Sequence, residues 1–439
     1  MTISYKGDVA EPSIFFIIGF TIAVFNGLTN YKEWDFNLST KTCAVILLGA
    51  IVFSAVSYCT KAFFKFHVIE RNQDKEFTIQ EQMIIPNWVY ICFFLYTTIS
   101  LYIVSHQVIS ITMPYGGDGS ITRAIGTYDN LSKFSTEGVA IHGIAQFLYL
   151  SVNALSYIWL FLATKSIVIK TYRTDIFACI NVLVSIPMTV ISGGRNNLIQ
   201  LGIAALAYYV LFTRQNNNWR GLNLSLRTAI KAVVLAFVAL ALFKPALSLL
   251  GRQSGDSTTY EYLSIYIGAP IKNLDAYLTN SMSPALSVMT SQWGDMTFAS
   301  TRASFPQIFG STVLDWLRWQ PFQYYGTANL GNVYTTYYAF IFDWGIIGAL
   351  IAIAIIAFIS QCCYEKSVYS LQYTQTSIPL SILLYGSISY CCAFCFFSNR
   401  WVSTLLNRSM LIYIIIWVFT IYIFNCVKIT TNSETKERD

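Results

Sequence analysis

The sequence predicts an all-α polytopic membrane protein, and three observations predict it. Hydrophobic residues make up 55% of the 439-residue chain, charged residues only 11%, and the apolar residues fall in runs long enough to cross a bilayer. Soluble domains carry about 25% charge. A mean hydropathy of +0.51 therefore excludes a water-soluble enzyme and a disordered chain. The net charge of +6 is spread over loops between apolar runs, which excludes a nucleic-acid binder.

A helix needs roughly 20 apolar residues to cross about 30 Å of hydrocarbon. Ten segments meet that need: 13–28, 42–58, 86–104, 139–163, 176–192, 197–212, 229–250, 333–360, 378–397 and 410–427. The first follows a single base, Lys6, and no small-residue cleavage site, so it reads as a retained anchor rather than a signal peptide. The expected organisation is seven spans in 1–250, an extracytoplasmic loop domain in 251–332, three spans in 333–427 and a cytoplasmic tail in 428–439.

Orientation follows from the 28 Lys and Arg, because cytoplasmic loops keep the positive excess. With the N-terminus inside, sixteen fall in the cytoplasm and eleven outside, and Lys244 lies within a span. Four of the eleven sit in the one long loop, where the rule loses force, so short loops divide sixteen to seven. Both termini are then cytoplasmic, and the long segment between the seventh and eighth spans lies outside. A loop of that length usually has work of its own. Its apolar spacing at Ile267, Ile271, Leu274 and Leu278, and at Val313, Leu314 and Leu317, predicts a cap of short helices.

All ten cysteines fall in spans or on the cytoplasmic side, so disulfides are not expected. The group Cys391, Cys392 and Cys395 has no His, Asp or Glu near it in an apolar helix, which points to packing rather than zinc. No glycine-rich nucleotide loop is present. The expectation is an activity without metal, ATP or other cofactor.

Cations at the outer mouths of spans carry the functional signal. The fifth and sixth spans meet in Ser192-Gly193-Gly194-Arg195-Asn196-Asn197, a tight turn beside a helix start where oxyanions bind well. Arg252 follows the seventh span directly, and Lys244 can snorkel to the same surface. Guanidinium forks suit phosphate oxygens; ordinary interfacial anchors would carry the same charge. Asp343 lies two to three turns inside the apolar eighth span. A carboxylate there marks a functional site or a structural pair with a cation such as Lys244. Asn332 and Tyr334 stand at its mouth. The loop also holds Tyr260, Tyr262, Tyr266, Tyr277, Trp293, Trp316, Trp319, Tyr324 and Tyr325, rings that stack on sugars and equally populate headgroup belts. Candidate general bases on this face are Asp256, Glu261, Asp275, Asp295, Asp315, Asp343, His106 and His142.

The order of these parts is similar to that of the Wzy-type O-antigen (oligosaccharide repeat-unit) polymerases. The likeness runs from the Ser-Gly-Gly-Arg turn through Gly251-Arg252, Tyr266-Ile267-Gly268-Ala269-Pro270 with Asn273, and Asn332-Val333-Tyr334-Thr335 to Asp343-Trp344-Gly345. It covers Pro187 to Gly348 by motif and the remainder by topology. Arg252 and Gly268 fit the family's Arg-x15-Gly spacing; sixteen positions after Arg195 stands Leu211. Related O-antigen ligases carry a functional histidine in the large loop, and this loop has none.

The resemblance implies a GT-C-like bundle in a bacterial inner membrane. It implies a glycosyltransferase that joins polyprenyl (undecaprenyl)-diphosphate-linked repeat units into lipopolysaccharide O-antigen or capsule on the extracytoplasmic side. Such a donor brings its own leaving group, so the protein's tasks are positioning and charge stabilisation. The implied catalytic set is Arg195, Arg252 and Asp343, with Lys244, Gly268, Lys272, Asn273, Asn332, Tyr334 and Tyr338 contacting substrate. Implied partners are the lipid-linked oligosaccharide, the bilayer, a chain-length regulator and a flippase. A lipid-linked oligosaccharide flippase, an O-antigen ligase and a membrane scaffold remain as alternatives. Transporters more often show internal repeats and helices broken near the midplane, and the halves of this chain show no convincing repeat.

Overall fold

The computed structural model describes residues 2–4, 9–64, 82–134, 139–169, 175–217, 219, 223–225, 259–282, 293–309, 320–326, 328–373, 377–427 and 429–431. The predicted seventh span (229–250), Lys244, Arg252, Asp256 and the 313–319 piece with Asp315 and both of its tryptophans lie outside these residues. What is described is a helical membrane protein. Its helices are α1 (Pro12–Thr29), α2 (Thr40–Phe64), α3 (Asn87–Thr112), α4 (Ile121–Phe134), α5 (Gly143–Val168), α6 (Ile176–Val190), α7 (Asn196–Asn216), α8 (Thr259–Ile267) and α9 (Ala269–Leu278). There follow α10 (Ala299–Ser304), α11 (Thr336–Tyr373), α12 (Leu380–Ala393), α13 (Arg400–Leu405) and α14 (Arg408–Val427).

Among the described residues seven helices are long and apolar enough to cross a membrane: α1, α2, α3, α5, α7, α11 and α14. Two expected spans are shorter than drawn from hydropathy. The fifth, α6, ends after 15 residues because the chain must enter the Gly193 turn, where φ is +74°. The ninth, α12, ends at Ala393 after 14 residues. Beyond it the carbonyl of Cys395 accepts the Thr336 N–H at 2.9 Å, so this stretch closes the start of α11 instead of continuing a helix.

The helix α5 sits at the centre. Its run Leu150–Trp159 is buried on every side, as expected of a helix packed all round. Its polar residues Ser151, Asn153 and Ser156 bond back to carbonyls three or four residues earlier, so these side-chain donors are met within the helix. Trp417 of α14 donates to the Ala154 carbonyl at 2.7 Å. The three clustered cysteines are fully buried; Cys395 donates to the Cys391 carbonyl and Cys392 to Ser360 Oγ, contacts of helix packing.

The helix ends gather into two groups. At one end β1 (Thr2–Ser4) pairs antiparallel with β3 (Asn223–Ser225), and β2 (Gln82–Ile84) pairs with β6 (Ile429–Thr431). There too Lys61 bridges to Glu11 and Arg214 donates to Tyr364. These segments are the ones whose charge predicts a cytoplasmic position; this is the terminal end. At the other end α8, α9, α10, the hairpin of β4 (Gln323–Tyr325) and β5 (Ala328–Gly331), and α13 cover the bundle. This cap end includes the short helices expected from Ile267, Ile271, Leu274 and Leu278, of which the last three are buried.

The helix α11 is broken at Gly345, where φ is 68° and ψ −175°. Beside the break the turn Trp293–Phe298 descends along α11 to the level of Asp343, seven residues past Thr336, or about 10 Å along the axis. Irregular backbone at such depth needs its polar groups satisfied by protein, and Asp343 does this.

Candidate functional site

The Gly193 turn positions Arg195. Gly193 donates to the Val190 carbonyl at 2.8 Å, and a Cβ built there would stand 2.3 Å from the Cβ of buried Asp129 on α4. No larger residue fits. Ser192 and Asn197 both bond the hydroxyl of half-buried Tyr149, pinning the turn from below. Arg195 then donates through Nη2 to Tyr262 Oη at 2.8 Å, and its Cζ lies 5.5 Å from that ring's centre.

A line of contacts runs from there to Asp343. Tyr262 and Tyr266, one turn apart on α8, bond through their hydroxyls at 3.2 Å. Tyr266 stacks on Phe397 at 6.0 Å with only 12° between the planes. The guanidinium of Arg400 lies 5.0 Å from the Phe397 ring centre. Next to it Asn399 donates to the Thr297 carbonyl at 3.2 Å, and the N–H groups of Thr297 and Met296 donate to Asp343 at 2.6 and 3.2 Å. Thus Arg195 and Asp343 belong to one polar and aromatic seam at the cap end, joined by α8, the 394–400 turn and the 293–298 turn.

The carboxylate of Asp343 accepts from peptide donors, while Lys244, the cation expected to pair with it, lies outside the described residues. Each carboxylate oxygen accepts one N–H of the descending turn. Trp344 is packed among Trp293, Phe298 and Phe340 at 5.3 to 6.1 Å. Asp343 thereby acts as the anchor of the turn. Asp295, on the same turn, is buried and bridges to Arg302.

The other candidates make contacts within the cap and with the helices beneath it. Asn273 is fully buried and donates to the carbonyls of Leu330 and Val333, tying α9 to the entrance of α11. Gly268 packs so close to α1 that an added Cβ would stand 2.7 Å from Asn26 Oδ1 and 2.8 Å from Gly27 N. Lys272 donates to the Asp35 carbonyl at 2.6 Å and lies 5.4 Å from the Tyr325 ring centre. Tyr334 donates to the Pro321 carbonyl at 2.9 Å and stacks on Tyr338 at 4.4 Å. Tyr338 Oη is buried without a hydrogen-bond partner among the described residues. Asn332 is half-buried beside them. Burial holds the Tyr334 phenol above its ordinary range, with Gln323 opposing; burial and then the charge of Asp343 do the same to Tyr277. Both are neutral donors at working pH, not bases.

Among the candidate bases, Asp275 accepts from Ser39 N–H at 2.9 Å and Thr42 Oγ1 at 2.7 Å, capping α2 from a different helix. His106 and His142 are exposed, and His142 bonds Gln107 at the start of α5. Glu261 is exposed on α8. No group of three or more His, Cys, Asp or Glu among the described residues is placed to hold a metal ion.

Sequence reasoning missed Asn399-Arg400 and Asp129. The first pair lies in the short link between the ninth and tenth spans, where Arg400 reads as one more outer base. The signal for Asp129 was a carboxylate on an amphipathic stretch whose buried face also carries Ala124, Ile125 and Tyr128. Compared with protein-family models, curated proteins and solved structures, the chain matches none of them.

Proposed function

We propose that this membrane protein is a glycosyltransferase that polymerises polyprenyl-diphosphate-linked oligosaccharide repeat units into surface polysaccharide, O-antigen or capsule. The reaction takes place at the cap end, which on the charge distribution faces away from the cytoplasm of a bacterial inner membrane. A hydroxyl of one lipid-linked unit attacks the anomeric carbon of another glycan, the bond from that carbon to the diphosphate oxygen breaks so that polyprenyl diphosphate leaves, and the hydroxyl proton passes to a carboxylate or imidazole of the cap face. Arg195, and Arg252 by sequence, neutralise the departing diphosphate. Asp343 keeps the descending turn against α11. The Tyr262–Tyr266–Phe397 seam offers ring surface to sugar. A chain-length regulator and a flippase fit as partners in the same membrane.

The observation that carries this reading is the seam itself, which joins a guanidinium on a rigid glycine turn, stacked rings and Asp343 at one end of the bundle. Preorganised donors of this kind act on charge that develops in a transition state. The test is incubation of the purified protein in detergent with a lipid-linked repeat unit. A ladder of products is expected; its absence, with the protein folded, sinks the enzyme.

The break at Gly345 favours a second reading, a lipid-linked oligosaccharide transporter, since transporters place substrate at discontinuous helices. The break lies in the first quarter of α11, nearer the cap than the middle. Its side chains hold the cap turn, which favours the enzyme. Detergent has no two sides, so a ladder there cannot come from transport.

A further inference from the structure

We propose that Arg400 is a further substrate-binding residue, which grips a lipid-borne phosphate at the cap-end mouth beside the aromatic seam. The proposal rests on the polymerase reading for the identity of the lipid and on geometry for the anion.

Arg400 stands out by how its charge is met. At the same end Arg302 pairs with buried Asp295 and Arg123 with Asp118. Arg400 meets no carboxylate among the described residues, and its guanidinium makes no hydrogen bond with them. Its Nε is buried and unpartnered. A guanidinium carries five N–H donors in one plane, and burying even one of them without an acceptor is costly. The face contact with Phe397 at 5.0 Å meets the charge from one side and leaves the edge donors open. An oxyanion is the ligand that such an edge fits, and phosphate accepts from it through two oxygens at once.

The position is built, not adventitious. Trp401 is buried and donates to Ser360 Oγ at 3.1 Å, and Asn399 is tied to Thr297. The residues on both sides of Arg400 are therefore fixed to the bundle and to the descending turn. Phe397 carries Tyr266 on its ring, and Tyr266 remains exposed. A phosphate at Arg400 would place an attached sugar within reach of that ring.

Isothermal titration calorimetry on the full-length protein in neutral detergent tests this with farnesyl diphosphate, inorganic pyrophosphate and farnesol as probes. Farnesyl diphosphate is expected to bind wild type, Arg400→Gln to weaken it about tenfold or more, Arg400→Lys to recover part of the loss, and exposed Arg408→Ala to change nothing. Equal affinity in wild type and Arg400→Gln overturns the proposal, as does farnesol binding as tightly as the diphosphate. Pyrophosphate binding as tightly as farnesyl diphosphate overturns the lipid assignment. Should Arg400→Gln fail to fold, Arg400→Lys decides: undiminished affinity with the fork removed overturns the bidentate grip, and a several-fold loss supports it. A product ladder together with unchanged affinity in the variants sinks this inference alone. Arg400-dependent affinity without a ladder sinks the polymerase reading alone.

Discussion

The two ends of the bundle share ion pairs and ring contacts but differ in how one arginine is met. At the terminal end Lys61 bridges to Glu11, Arg214 donates to Tyr364 and Asp175 caps α6 while accepting from Tyr90. These contacts close helix ends and join neighbours. At the cap end Arg302 and Arg123 pair with Asp295 and Asp118 and Arg195 donates to Tyr262, but Arg400 lies on the Phe397 ring with no hydrogen bond from its guanidinium among the described residues. A charge met by an acceptor of the protein is spent on the fold, whereas a charge held only on a ring face keeps its donors for a ligand. That difference supports the proposal of an anionic substrate at the cap end.

The largest expected effect tests that contrast directly. Arg195→Ala should lower the polymerisation rate by roughly 10² to 10³, while Lys61→Ala at the terminal end leaves it within about twofold, since an exposed pair contributes about 0–1 kcal/mol. Rates from the product ladder at matched protein levels decide it, and equal losses in both variants would erase the distinction. Next comes Gly193→Ala, which must push a methyl into Asp129 at a positive φ. A loss of about 2 kcal/mol or more in thermal stability, with reduced activity, is expected; a neutral substitution would show that the turn does not position Arg195.

Asp275→Ala should cost about 1–2 kcal/mol through the lost cap on α2, whereas Asp275→Asn keeps an acceptor and should retain activity. A rate collapse in Asp275→Asn at native stability would instead return Asp275 to the chemistry. The smallest effect concerns pH. The Tyr334 phenol is held above its ordinary value by burial, so the stability it contributes is complete below about pH 10 and declines as pH rises toward its folded value. Melting temperatures at pH 8 and 10.5 should fall less between the two in Tyr334→Phe than in wild type, and equal slopes would count against the burial.

Legibility varied with the range of the forces involved. Hydropathy located the long helices because the cost of unsatisfied backbone in hydrocarbon is local to each segment. It overran α6 and α12, since apolar residues at 191 and at 394–397 serve a glycine turn and the start of α11 rather than a helix. Arg195 and Asp343 stood out as charges beside or within apolar runs. Arg400 did not, because its meaning lies in what is missing around it, and a sequence does not list neighbours. Asp275 read as a possible base for the same reason: its partners, Ser39 and Thr42, are more than 230 positions away in the chain.

What the chain's composition and periodicity determined alone is a membrane-embedded helical protein, the approximate limits of its long helices and a charge asymmetry between its two faces. Burial of apolar segments and retention of cations are properties of each stretch. Only the tertiary structure decided that α11 breaks at Gly345, that Asp343 serves a descending turn, and that Arg195 and Arg400 meet one aromatic seam. Those outcomes depend on hydrogen bonds and ring contacts between residues far apart in the chain, which are selected by packing and not by local preference.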